Sequence, residues 1–206
     1  YFKFNYLPIG GNETTRFLES LLDYARKHHS ELDWKKARAF ITEEENAYYE
    51  ELDNLATFLL EFRYGLPRFA HIIHDAGYVV GLSRFLLHET GVVPVEQFIV
   101  DNTPQKYQKA ILDDLLSISE KRKISAQFIP DAGKASDIIR GIEHEGRGLI
   151  FGADWDSDLA KEKGYCFIES AQPMELRLVL TSHYVGYTGG LRVIEDVYTN
   201  ALEKYR

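Results

Sequence analysis

Along the first third of the chain apolar residues recur at spacings of three and four; beyond it they gather into short continuous runs separated by further stripes of the same kind. A three-and-four spacing draws one apolar line along a helix, whereas a bounded run of four to eight apolar residues suits a buried strand. The change of pattern falls near Gly65 to Pro67. It predicts a helical arm over residues 1–65 that packs on a second domain over residues 66–206.

Within the arm, the turn-like Leu7-Pro8-Ile9-Gly10-Gly11 precedes Asn12 and the Thr14-Thr15 pair, which offer caps to a helix whose stripe is Phe17, Leu18, Leu21 and Leu22. Ser30, with Asp33 three residues on, has the spacing of a capping box and predicts that a long helix follows. Tyr48, Leu52, Leu55, Leu59 and Phe62 form its apolar stripe. Its other face carries Glu43, Glu44, Glu45, Glu50, Glu51 and Asp53, a run that more often solvates a helix than binds a cation or a basic partner.

In the second region Phe69–His74 reads as a strand and Tyr78–His88 as a helix with Val79, Leu82, Phe85 and Leu86 on one side. Val95–Val100 is the next strand. Thr103 and Pro104 then supply a cap and a first-turn proline to a helix striped by Tyr107, Ile111, Leu115 and Ile118. Strands over Ile124–Ile129, Gly148–Phe151 and Tyr165–Ile168 alternate with helices over Ala135–Glu145 and Asp156–Lys163. A last helix, Thr188 to about Lys204, carries Leu191, Ile194, Tyr198, Ala201 and Tyr205. Such alternation calls for parallel strands joined by right-handed crossovers. The expected fold is α/β: a Rossmann-like doubly wound, mostly parallel sheet of about five strands with flanking helices, preceded by the helical arm.

Composition narrows the function classes. The 206 residues are 45% hydrophobic and 27% charged, which excludes a disordered or fibrous chain. With 24 Lys and Arg against 32 Asp and Glu, the net charge of -8 gives no electrostatic footprint for nucleic acid or an anionic membrane. No apolar run approaches the roughly 20 residues of a membrane helix. The single cysteine, Cys166, cannot form an internal disulfide or hold a cysteine-rich cluster, and this argues for a reducing, cytoplasmic setting. Its position in an apolar strand between Tyr165 and Phe167 suits a small core residue. The first residue is Tyr1 rather than Met, from which a piece of a longer protein is expected.

In open α/β sheets ligands lie beyond the carboxyl ends of the strands. The segments to inspect are therefore His74–Gly77, Val100–Thr103, Pro130–Gly133 and Gly152–Ser157. None carries a phosphate-binding glycine motif, and their acidic residues would repel a pyrophosphate. His74-Asp75 suits either proton transfer or the capping of the next helix, and Asp101 suits a cap or turn. His71 and His74, three apart on a strand, point to opposite faces and do not form a ligand pair; no metal ligands are assigned. Asp154, Asp156 and Asp158 alternate like a calcium loop but lack its Gly and distal Glu, so capping by Asp156 or Ser157 is the better reading. The stretch from Leu180 to Gly190 mixes hydroxyl, imidazole and glycine groups, which suit either a pocket lined by Ser182, His183 and Tyr184 or tight packing at the glycines with Thr188 capping the last helix. It and the fourth loop make His183, Tyr184 and Asp154 the candidate cofactor-binding residues of a strand-end pocket. Catalytic residues are not assigned.

Several motifs in order resemble the nitrogenase component 1 family. Leu7-Pro8-Ile9-Gly10 with Thr14, Phe17 and Leu18 is similar to that family's proline-isoleucine-glycine turn and following helix. Arg68-Phe69-Ala70, then Gly81, Leu82, Phe85, Leu86 and Gly91, resemble a strand start and the helix after it. Gly152, Asp154, Ala160, Gly164 and Pro173 are similar to the stretch around the fourth and fifth strands, and Gly186-Tyr187 with Gly190 to the start of the last helix. The match runs nearly end to end and corresponds to about the C-terminal half of a typical subunit.

The resemblance implies a scaffold and interface domain of a heteromeric, ATP-coupled reductase with a metal cluster. It also implies a homologous α- or β-type subunit as one partner and an iron-sulfur ATPase reductase as another. An iron-sulfur or iron-molybdenum-type cluster is expected in the full complex, with its cysteine ligands outside this chain. His183 is nearest to the cofactor-ligating histidine of the α-type subunit, although its shorter loop and direct contact in sequence with Tyr184 look more like a β-type or divergent subunit. The fragment alone is expected to be inactive. A stand-alone Rossmann-like module that binds a small ligand is the alternative, and a relative that makes tetrapyrroles rather than ammonia is a third reading.

Overall fold

The computed structural model describes residues 2–28, 33–62 and 66–205. Its first helix, α1, spans Gly10–His28 and the second, α2, Trp34–Phe62. Asp33 opens α2 by accepting the Lys36 amide at 3.1 Å, while Ser30 lies outside the described residues, as does Gly65 at the expected boundary. Tyr48 is buried and Leu52 and Leu55 pack against the core; the side chains of Leu59 and Phe62 lie outside the described set. The acidic face of α2 is mainly exposed, with Glu45 turned inward to accept the Thr15 hydroxyl at 2.9 Å.

Five strands follow: β1 (Phe69–His74), β2 (Val93–Ile99), β3 (Ala126–Phe128), β4 (Gly148–Gly152) and β5 (Cys166–Glu169). All neighbouring pairs are parallel, in the order β3-β2-β1-β4-β5, so the chain winds outward in both directions from β1. The expected doubly wound sheet is therefore present. Its helices are α3 (Ala76–Phe85, continued by a π-helical turn Leu86–Thr90), α4 (Gln105–Leu116), α5 (Ala132–Arg140), α6 (Asp156–Lys163) and α7 (Gly186–Tyr205).

Period-two alternation divides the sheet into two faces. Ala70 and Ile72 of β1, with Ile99, Phe151 and Ile168, face the layer of α3, α4 and α7; Phe69, Ile73, Phe98 and Ile150 face α5 and α6. The amino-terminal arm is joined to the first layer. Ile9 bridges to Gly186, and α1 and α2 pack on α7.

Three local expectations need correction. Thr103 does not cap α4: its amide and hydroxyl turn back to Asp101, leaving Pro104 at the cap position without a side-chain bond. Tyr107 is 48% exposed rather than part of the α4 stripe, because α4 covers the edge of the sheet through Ile111 and Leu115. The fifth helix ends at Arg140, and Gly141, which donates to the last carbonyls, leaves His144 in the connection to β4.

Candidate functional site

At the carboxyl end of β1, Asp75 caps α3 by accepting the Tyr78 amide at 3.1 Å, and its other oxygen meets His74 Nδ1 at 2.8 Å. Burial pushes the Asp75 carboxyl up, but the His74 bond and charge and the amides of Tyr78 and Gly77 outweigh it, and the net displacement is downward. His74 Nε2 lies 3.0 Å from the Ser170 carbonyl, and the ring packs on Tyr78 at 4.1 Å between centroids. With both ring nitrogens engaged, this imidazole ties β1 to the loop after β5. Asp101 fastens the neighbouring loops by accepting the Ala76 and Thr103 amides, each at 2.8 Å.

Beside these loops lies a cavity of about 120 Å³, lined by Tyr78, Glu169, Ser170, Met174, Arg177, Val179, Ser182, His183 and Tyr184. The segment between β5 and α7 forms most of its wall. Glu169 holds the start of that segment by accepting the amides of Glu175 (2.6 Å) and Leu176 (3.0 Å). Asp196 of α7 holds its middle. It accepts Arg177 Nη1 at 2.9 Å and the Tyr184 hydroxyl at 2.6 Å, while its other oxygen pairs with Arg192 at 2.8 Å. Burial, reinforced by the hydrogen bond to Asp196, pushes the Tyr184 phenol well above its ordinary value, so it remains a donor.

His183 and Tyr184 thus meet at one cavity. Asp154 does not line it; its amide donates to the Pro173 carbonyl and its carbonyl accepts from Ser157. Tyr184 is buried, and the exposed His183 has Nδ1 at 2.9 Å from the Val185 carbonyl. Ser182 Oγ accepts from Arg177 at 3.3 Å, so Ser182 and His183 are not assembled as nucleophile and base. What the wall offers instead is a guanidinium, a carboxylate, hydroxyls and an imidazole around a space for a small polar group. Arg177 and its anchor Asp196 were not singled out from the sequence. A signal existed: Arg177 is the one charge within Leu176-Arg177-Leu178-Val179-Leu180.

Asp156 does not cap α6 through its side chain. It is fully buried, accepts the Ala153 amide and the Ser136 hydroxyl, both at 2.9 Å, and joins the β4 loop to α5. Burial raises its carboxyl above the ordinary value against those two bonds. Asp158 is exposed and paired with Lys161, so the three alternating aspartates do not converge.

A second convergence lies at the opposite, amino-terminal end of the sheet. His71 of β1, Glu96 of β2 and His144 of the α5–β4 connection place one ligand atom each within 4.8 Å of the others.

With this geometry in place, the sequence from residue 2 to residue 202 matches the family model described as nitrogenase component 1 type oxidoreductase. The chain belongs to that family. Among solved structures, the one described as "Nitrogenase Cp1 at pH 6.5" is similar in fold, with a TM-score of 0.66 and 22% sequence identity. The similarity covers 96% of this chain and 39% of that one, so the chain spans well under half of its length. No curated protein gives a significant match to the sequence. No described helix is long and apolar enough to cross a membrane.

The resemblance to the component 1 family implies a metal cluster, against which the donor set at the cavity stands as follows. Iron-sulfur clusters are held by cysteine thiolates. The chain's one cysteine, Cys166, is buried in β5 and does not line the cavity. His183 supplies a single imidazole there. These residues do not fit a cluster held by this chain alone.

Proposed function

We propose that this chain is the C-terminal part of a component 1-like oxidoreductase subunit and serves as scaffold and subunit interface in an ATP-coupled, metal-cluster-dependent reductase. The observation that carries the reading is the family match along residues 2–202, combined with coverage of only 39% of the similar solved chain. On this reading the cluster's other ligands, and the surfaces that receive an iron-sulfur ATPase partner, come from the rest of the protein and from a homologous subunit. The setting is cytoplasmic. The cavity at the strand ends contributes one wall of a cofactor pocket, with His183 at its rim and Tyr184 held rigid behind it by Asp196.

The apolar side chains between β5 and α7 support the interface role. Leu176, Leu178 and Leu180 are 60%, 83% and 81% exposed on one segment, and Val179 is partly exposed beside them. Contiguous apolar surface of this kind marks contact with another protein surface. Oxygen-free copurification of the full-length protein with its homologous partner tests this. Leu178→Asp with Leu180→Asp should abolish most of the recovered partner while leaving the fold intact by circular dichroism, and undiminished recovery would contradict the interface role. His183→Ala in the same complex separates scaffold from cofactor wall. Loss of bound metal or turnover supports contact with the cofactor, and retention of both removes His183 from it.

A further inference from the structure

The His71–Glu96–His144 cluster belongs neither to the strand-end cavity nor to the proposed interface. Its construction begins with an irregularity in the sheet. Ala70 pairs with Pro94 and Ile72 with Gln97, so two residues of β2, Val95 and Glu96, stand opposite the single His71. That is a β-bulge, uncommon between parallel strands, and bulges re-aim side chains. Here it brings Glu96 onto the same face as His71, toward α5 and α6. Glu96 Oε2 lies 3.3 Å from His71 Nδ1 and 2.8 Å from His144 Nε2.

Apart from the Glu96 backbone, the buried member lacks a partner suited to its burial. The His71 side chain is 1% exposed, and its Nδ1, aimed at Glu96, has no hydrogen bond. Buried polar atoms are nearly always satisfied, so an orphan nitrogen facing a carboxylate and a second imidazole asks what completes it. Phe69 and Tyr165 enclose the two rings, with centroids 4.9 Å from His144 and 6.0 Å from His71. Glu96 and His144, each 26% exposed, form a rim open to solvent. The ammonium of Lys163, which acts on His71 through space, is held away by the Ile142 carbonyl and Glu143, both at 2.7 Å.

We propose that His71, Glu96 and His144 bind one divalent ion of the zinc type, which pins the α5–β4 connection to β1 and β2. Two imidazoles and a carboxylate are a common three-ligand set for zinc, with water in the fourth position. Tetrahedral bonds of 2.0–2.2 Å put ligand atoms roughly 3.3–3.6 Å apart. The His71–Glu96 edge already has that length, the His144–Glu96 edge is about half an ångström short of it, and the two imidazole nitrogens lie within 4.8 Å of each other, so binding would re-aim the His144 ring, which sits in the connection beyond α5. The site sits across the sheet from the cavity, so zinc binding here is independent of any cluster.

The test is titration of the metal-free protein with zinc by calorimetry and with cobalt(II) by absorption spectroscopy. Wild type should take up one equivalent and develop the ligand-field bands of a tetrahedral cobalt site. Glu96→Gln and His144→Gln should weaken binding by more than the roughly 10- to 100-fold that loss of an outer-shell partner costs. His28→Gln, at the exposed end of α1, should bind as wild type does. X-ray absorption of the zinc form needs no variant and should show nitrogen and oxygen neighbours only. Absence of binding by the folded wild type, binding undiminished in both rim variants, or sulfur around the zinc would each overturn the proposal.

Discussion

Two glycines decide how closely the arm approaches the last helix. A Cβ on Gly190 would stand 2.4 Å from the Gly10 Cα, and Gly10 itself has a φ of +79°. The backbones of α1 and α7 touch there, with nothing flexible to give way. Gly190→Ala should therefore cost about 1–3 kcal/mol, read as a lower denaturant midpoint; an unchanged midpoint would show that the contact yields. Glu89 works at the same junction, accepting the amides of Gly11 (3.1 Å) and Asn12 (3.0 Å) and the Tyr48 hydroxyl. Burial raises its carboxyl above the ordinary 4.5 in spite of these bonds. A group whose folded-state pKa is raised stabilises the fold below its unfolded value and loses that contribution as pH climbs through the folded one. Wild type should therefore lose stability relative to Glu89→Gln between acid and neutral pH. Parallel denaturation curves across that range would show no such linkage.

Helices and strands were legible wherever one residue's surroundings depend on near neighbours. The strands over Phe69–His74 and Gly148–Phe151 are apolar runs in a sheet covered on both faces, where continuous hydrophobicity is what burial demands. The extent of α5 was not legible, because its apolar spacing continues past Arg140 while the chain turns at Gly141. Contacts between elements distant in sequence were also hidden. Asp156 reads as a cap and is instead a buried link to Ser136, 20 residues away in sequence. Asp156→Ala should leave the Ala153 amide without its acceptor and the Ser136 hydroxyl with only the Ala132 carbonyl, at a cost of roughly 1–3 kcal/mol, with Asp156→Asn costing less. Equal midpoints for all three proteins in chemical denaturation would contradict that role. The histidine–glutamate cluster was hidden twice over: its members are far apart in sequence, and a regular β2 would not turn Glu96 toward His71.

At the scale of the molecule, the family-like motifs carried more than any single residue. Pro8-Ile9-Gly10 and Gly186 lie far apart in sequence, yet Ile9 bridges to Gly186 and the Gly186 amide donates to the Pro8 carbonyl at 2.8 Å. Two short motifs are thus halves of one contact. The candidate pocket was legible in part: His183 and Tyr184 line one cavity, while Asp154 belongs to a separate loop contact. Arg177 is not legible as a site residue because its partner Asp196 lies on α7, 19 residues further along the chain. The proposed role rests on assembly with more protein than this chain contains, and oxygen-free purification of the full-length protein followed by native mass spectrometry and metal analysis tests it most directly. The account predicts a heteromer with a homologous subunit that retains cluster iron. A protein that purifies alone, binds no such partner and carries no iron would contradict it.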